Sequence, residues 1–295
     1  MDRQRTVVTA LTTPFTPSGD LDLDAARAQY GFAARTTGQL LVAGTTGEFP
    51  ALSEGERLLL IETALQEAGP DGVIAHIGAA DAHTAVRLTR AAVAAGARRI
   101  AALTPYYLPA NADELEAYFS RIRLAAPDAQ LYAYLFPERS GLTVDPVEFG
   151  KLAASCGLAG VKLSGTPSTE VAAYRAELPE EFEVYSGNDQ RLADVLAAGG
   201  AGVVSGCSAA FPEPFLDLAA ALRDDTTDPA RLAALQDLVD RTVGLLGPSI
   251  GRIKHAQTAR GLPAGTSRMT VGDPDRATAA DIEALAGEVS GRPGA

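Results

Sequence analysis

Lysine is nearly missing from this chain. Only Lys151, Lys162 and Lys254 carry it, among 25 basic residues in all, so each lysine present calls for a reason. Cysteine is as rare: Cys156 and Cys207 are too few for a disulfide framework, and no CxxC pair exists. The three histidines, His76, His83 and His255, lie far apart without ligand spacing, so no metal site is expected. Positive charge is in deficit, with a formal net charge of −12. Such a surface repels phosphate backbones and anionic lipid, which argues against nucleic-acid and membrane partners. No apolar run reaches the ~20 residues of a membrane-spanning helix. The opening Met1-Asp2-Arg3-Gln4-Arg5-Thr6 lacks the apolar centre of a signal peptide, so a cytoplasmic protein is expected. No GxGxxG follows the first strand-like run, which counts against a dinucleotide-binding open sheet.

What the chain has is a regular alternation. Short apolar runs read as strands at Val7–Leu11, Leu40–Ala43, Val73–Ile77, Arg99–Leu103, Leu131–Phe136, Ala159–Leu163, Phe182–Tyr185 and Gly202–Ser205. Each is followed by an alanine-rich amphipathic stretch. One opens at Ser53 with Glu56 three residues on, a capping-box pattern, and another ends at Gly96. After the sixth and seventh runs, helices are expected over Ser168–Glu177 and Asp189–Ala198. Eight strand-then-helix units in about 220 residues predict an α/β fold, a (β/α)8 TIM barrel. Three more helical stretches follow, over Pro229–Leu246, Ser249–Arg260 and Thr278–Val289. The expected division is a catalytic barrel over 1–225 and a C-terminal helical region over 226–295. The chain from Gly291 onward is expected to fray.

Barrels of this kind carry their chemistry at the C-terminal ends of the strands. The unusual residues fall there. Lys162 sits inside the sixth apolar run, where an ammonium is costly and desolvation favours the neutral, nucleophilic amine. The alternative is a stem along the core with its head in water. Gly44-Thr45-Thr46-Gly47-Glu48, after the second strand, is a tight turn rich in N–H and hydroxyl donors, suited to a carboxylate; the alternative is an ordinary βα turn with capping threonines. Thr104-Pro105-Tyr106-Tyr107 follows the fourth strand. Tyr134 ends the fifth, where it would point toward Lys162 and exchange protons with it. Arg139 follows in Pro137-Glu138-Arg139-Ser140-Gly141, able to grip a carboxylate with two parallel N–H donors or to pair with Glu138.

The order of Gly44-Thr45-Thr46-Gly47-Glu48, Tyr134-x-x-Pro137, Gly160-Val161-Lys162 and Ser186-Gly187-Asn188-Asp189, opened by Leu11-Thr12-Thr13-Pro14-Phe15, resembles the dihydrodipicolinate synthase / N-acetylneuraminate lyase family of pyruvate-dependent class I aldolases. The resemblance covers nearly the whole chain. It implies that Lys162 forms a Schiff base with the keto carbon of pyruvate or another 2-oxo acid, and that Tyr134 relays protons. It implies that Thr45 and Thr46 hold the keto-acid carboxylate, with Thr45 joined to Tyr134 in a hydroxyl relay. Tyr107 would complete that relay from a neighbouring subunit, which implies a homodimer or homotetramer. Gly187 belongs to the substrate site, and the backbone at Val204 faces it. Arg139 matches an arginine that takes the carboxylate of the second substrate, an aldehyde. No cofactor and no metal are implied.

Some segments depart from the synthase pattern. Leu135-Phe136 replaces an asparagine after the tyrosine, and Leu163-Ser164-Gly165-Thr166-Pro167 replaces a more acidic stretch after the lysine. Glu48-Phe49-Pro50 resembles branches acting on 2-keto-3-deoxy sugar acids or 4-hydroxy-2-oxoglutarate, and Ser205–Ala210 with Phe211 replaces the usual synthase segment. The expectation is therefore a Schiff-base C–C lyase or aldolase. The alternatives are 4-hydroxy-tetrahydrodipicolinate synthase, a 2-keto-3-deoxy sugar acid aldolase or dehydratase, and a non-catalytic relative that binds a small acid.

Overall fold

The computed structural model describes residues 6–108 and 110–291. The strands β1 (Val7–Ala10), β2 (Leu40–Val42), β3 (Val73–His76), β4 (Arg99–Leu103), β5 (Gln130–Leu135), β6 (Gly160–Leu163), β7 (Glu183–Ser186) and β8 (Gly202–Ser205) follow one another around a closed barrel. Their paired neighbours run parallel. Every residue of β1 to β4 is buried, as expected of parallel strands covered by helices. Alternating strand and helix in this closed order is the (β/α)8 TIM barrel that the sequence predicts.

The helices α1 (Leu23–Thr36), α2 (Glu54–Gly72), α3 (Ala82–Ala94) and α4 (Ala112–Ala125) follow the first four strands. A one-turn α5 (Pro137–Ser140) and then α6 (Pro146–Ser155) follow β5. Next come α7 (Val171–Ala176), α8 (Leu192–Ala197) and α9 (Glu213–Ala221), one after each remaining strand. Beyond them lie α10 (Pro229–Leu246), α11 (Ile250–Ala259) and α12 (Arg276–Ser290). Among the described residues no helix is long and apolar enough to cross a membrane. The tail expected to fray lies, past residue 291, outside the described residues.

Local chemistry sets the helix ends. The Ser53–Glu56 capping box is present: the Glu56 carboxylate accepts the Ser53 N–H at 2.8 Å, and the Ser53 hydroxyl accepts the Glu56 N–H at 3.2 Å. Asn111 and Glu114 form a second one at the start of α4. Gly96, at φ 104°, ends α3 in a conformation open to glycine. Two expected helices are shorter than predicted. The Ser168–Glu177 stretch opens with a 3-10 turn at Thr166–Thr169, and the Asp189–Ala198 stretch with one at Asp189–Arg191. Pro167 lacks an N–H, and the Ser168 hydroxyl donates to the Gly165 carbonyl at 2.6 Å, so that segment favours a turn.

The chain divides into two compact units. One runs to Ala68 and resumes at Ser205; the other is Gly69–Val204. In the second unit, strand register stacks two levels of side chains. The level through Ala101, Tyr132, Gly160 and Glu183 lies two residues before that through Leu103, Tyr134, Lys162 and Tyr185. Glu183 accepts from the Tyr132 hydroxyl of its own level at 2.7 Å, from Arg99 one level before at 3.3 Å and from the Tyr185 hydroxyl one level after at 3.3 Å. Gly160 makes room for this layer: a Cβ there would lie 2.5 Å from the Tyr132 ring.

Candidate active site

Lys162 and Tyr134 are register partners on β6 and β5. The Lys162 amine lies 4.3 Å from the Tyr134 ring centroid, a cation–π distance, so the amine is set against the ring of the phenol. Tyr134 is buried, while Lys162 is half-buried and so can meet a small solute. Two other rings frame Tyr134. Phe136 stacks on it with centroids 6.1 Å apart, and His76 meets it edge-on at 6.3 Å. His76, to which the sequence reading gave no role, is fully buried, and its Nε2 accepts the Leu103 N–H at 3.3 Å.

Gly187, after β7, packs against the lysine stem. A Cβ there would lie 2.3 Å from Ser164 Oγ and 3.2 Å from Lys162 Cε. Only a residue without a side chain leaves Lys162 its present path. Val204, in β8, is buried. Arg139 lies on α5, which Pro137 opens and Gly141, at φ 72°, closes. Its guanidinium carbon lies 5.5 Å from the centroid of the Phe136 ring. Glu138 turns elsewhere: it accepts the N–H and hydroxyl of Thr166 at 2.9 and 3.0 Å, and those bonds hold its carboxyl below the usual carboxylate range. Tyr107 is 91% exposed and holds φ at 79°, a strained conformation for a residue with a Cβ.

In the other unit, Thr45 and Thr46 are half-buried on the turn after β2. Ala43 and Glu48 flank that turn, both with positive φ, at 53° and 56°. The Glu48 N–H donates back to the Thr45 carbonyl at 3.0 Å. Thr46 borders Gly206, where a Cβ would meet its hydroxyl at 3.3 Å and Ile253 Cδ1 at 3.2 Å.

The sequence reading missed one lysine. Lys254 on α11 is only 5% exposed, which makes it more buried than Lys162. Burial pushes its pKa down, against the bond to Glu48 that raises it. Its three ammonium protons meet Glu48 Oε1 at 2.7 Å, the Thr13 carbonyl at 2.8 Å and the Thr266 carbonyl at 2.5 Å. An ammonium with every donor engaged is a structural cation, whereas Lys162 rests on a ring face. The scarcity of lysine was the available signal, and it marked both residues equally.

A closed parallel barrel with a lysine amine set against a tyrosine ring on the neighbouring strand holds the two kinds of group that Schiff-base chemistry uses. Comparison with known proteins narrows the class. Residues 3–286 match the model of the dihydrodipicolinate synthetase family. The 4-hydroxy-tetrahydrodipicolinate synthase 1 of Streptomyces coelicolor is 34% identical over 290 residues, 95% of this chain and 92% of that one. The 4-hydroxy-tetrahydrodipicolinate synthase of a Synechococcus species is 37% identical over 210 residues, 70% of each chain. The crystal structure of dihydrodipicolinate synthase from Aquifex aeolicus superposes with a TM-score of 0.86 at 26% identity, covering 97% of this chain and 98% of that one. The chain belongs to the dihydrodipicolinate synthetase family, whose members act on pyruvate and an aldehyde.

Proposed function

We propose that this enzyme joins or cleaves a C–C bond between pyruvate, or a related 2-oxo acid, and an aldehyde. The observation that carries the reading is the Lys162 amine 4.3 Å from the Tyr134 ring centroid. In the free-base form, the amine attacks the keto carbon and gives a carbinolamine. Loss of water leaves an iminium, which draws electrons from the adjacent carbon. That carbon then loses a proton, or a carbon substituent, to give an enamine. The enamine attacks an aldehyde in the synthetic direction. Each step moves a proton, and Tyr134 is the group poised to carry it.

Family membership supports the remaining roles. Thr45 and Thr46 take the keto-acid carboxylate, Thr45 links to Tyr134, and Gly187 and the Val204 backbone bound the site. Tyr107 serves the relay of a neighbouring subunit in a homodimer or homotetramer. Its 91% exposure and strained backbone support that role, since a partner would cover the ring. The protein works in the cytoplasm.

Borohydride trapping tests the reading. With pyruvate, reductant should add a stable mass at Lys162 and none to Lys162→Ala. Lys254, its donors engaged, should stay unlabelled. Wild-type protein without label would remove the Schiff-base mechanism. A second reading, condensation of pyruvate with aspartate semialdehyde, is supported by the names of the two sequence relatives and by the guanidinium of Arg139. A coupled assay with those two substrates decides it: absence of turnover leaves the broader aldolase reading in place.

A further inference from the structure

The turn that bears Thr45 and Thr46 lies between Ala43 and Glu48, neither of them glycine and both at positive φ. Such backbone persists only where its surroundings over-determine it. The Glu48 side chain supplies the constraint. It is fully buried; Oε1 accepts from Lys254, and Oε2 accepts the N–H groups of Arg268 at 2.9 Å and Met269 at 2.8 Å. Lys254 also holds the Thr13 carbonyl, and the Thr13 hydroxyl donates to the Gly47 carbonyl at 2.7 Å. One residue earlier on α11, Ile253 borders the same small space above Gly206 as Thr46 does. Consecutive residues of α11 therefore brace the turn at two points.

A buried ion pair of this kind gives little net stability over apolar side chains of similar size. Its value has to lie in the geometry that it fixes. We infer that Lys254 is a positioning residue. Through Glu48 it sets the Thr45–Thr46 turn in the shape that receives the carboxylate of the 2-oxo acid. This rests on the proposed function, because it assigns that carboxylate to the turn.

The test is the pyruvate dependence of borohydride trapping at Lys162, with thermal melts, in Lys254→Met and in Lys254→Met/Glu48→Gln. The single variant leaves a buried carboxylate without its cation and should melt lower. The double variant removes both charges and should regain most of the melting temperature. Its half-saturating pyruvate concentration should nevertheless stay 10-fold or more above wild type, within the roughly 100-fold scale of a cradle displaced by about 1 Å. Labelling at saturating pyruvate should be undiminished. A double variant that regains both stability and wild-type half-saturation would overturn the inference and leave the pair merely structural. If the single variant does not fold, the double variant carries the test alone. Wild-type protein that takes no label would overturn the Schiff-base reading and this inference together, an outcome distinct from normal labelling in every form.

Discussion

Gly187→Ala is the sharpest probe of how the lysine is held. The backbone of Gly187 is outside the left-handed region, so only space is at stake. The new Cβ would lie 2.3 Å from Ser164 Oγ, 3.2 Å from Lys162 Cε and 3.3 Å from the Leu163 carbonyl. The hydroxyl can rotate away. The carbonyl cannot retreat easily, because it accepts the Gly187 N–H at 2.7 Å. Lys162 Cε can yield, but it carries the nitrogen that the proposed function assigns to the Schiff base. Overpacking of this kind costs about 1–3 kcal/mol. In a chain of this size that lowers the melting temperature by roughly 2–12 °C. The trapping rate should fall further than stability does, by up to about 100-fold, because the nitrogen is displaced. Adding Ser164→Ala removes the shortest contact, so stability should recover while trapping stays slow. The measurements are thermal melts and borohydride trapping at saturating pyruvate. Recovery of both in the double variant, or wild-type trapping in Gly187→Ala, would refute the packing argument.

Other predictions concern the polar layer, the surface and the relay. Arg99→Met removes the cation bonded to Glu183 and should cost about 1–3 kcal/mol, whereas Arg99→Met/Glu183→Gln should regain most of it. Denaturant melts read this, and an unchanged midpoint for the single variant contradicts the layer's role. The Arg268 guanidinium, bonded to Glu56 at 2.6 Å, brings that carboxyl from its ordinary 4.5 to about 2. The group is depressed on folding, so its contribution is complete above pH 4.5 and drains away as pH falls toward 2. Arg268→Met should flatten that part of the stability–pH curve, and a curve of unchanged slope would rule the linkage out. Tyr134→Phe should slow imine trapping and proton exchange at the adjacent carbon by roughly 10²–10⁴-fold, the usual worth of general acid–base help. Turnover equal to wild type would exclude Tyr134 as the proton carrier.

The barrel was legible because its strands are apolar on both faces and its helices amphipathic. Arg99–Leu103, Gly202–Ser205 and Pro229–Leu246 have the bounds that the pattern predicts. The segments after β6 and β7 misled, because side-chain bonds such as Ser168 to Gly165 compete with helix and leave no mark in the periodicity. The layer of Arg99, Tyr132, Glu183 and Tyr185 was illegible for another reason. Charged residues at strand starts read as a wet rim, and the side-chain bonds that join them run between successive levels of the barrel, which no local pattern shows.

The two rare lysines show where sequence reasoning runs out. Scarcity flags both, but a lysine within an apolar strand looks anomalous and one on a helix looks ordinary. The structure inverts their burial. Lys254 is the deeper cation, and its acceptors at Thr13, Glu48 and Thr266 come from segments distant in sequence that no local pattern links. Depth is thus a poor criterion for a nucleophile. An amine reacts when its lone pair can be freed and a carbonyl can approach, and both conditions fail where three acceptors fix three protons. The half-buried lysine against a phenol ring meets the second condition through its exposure. The distinction rests on the number and kind of partners, which register and loop packing decide.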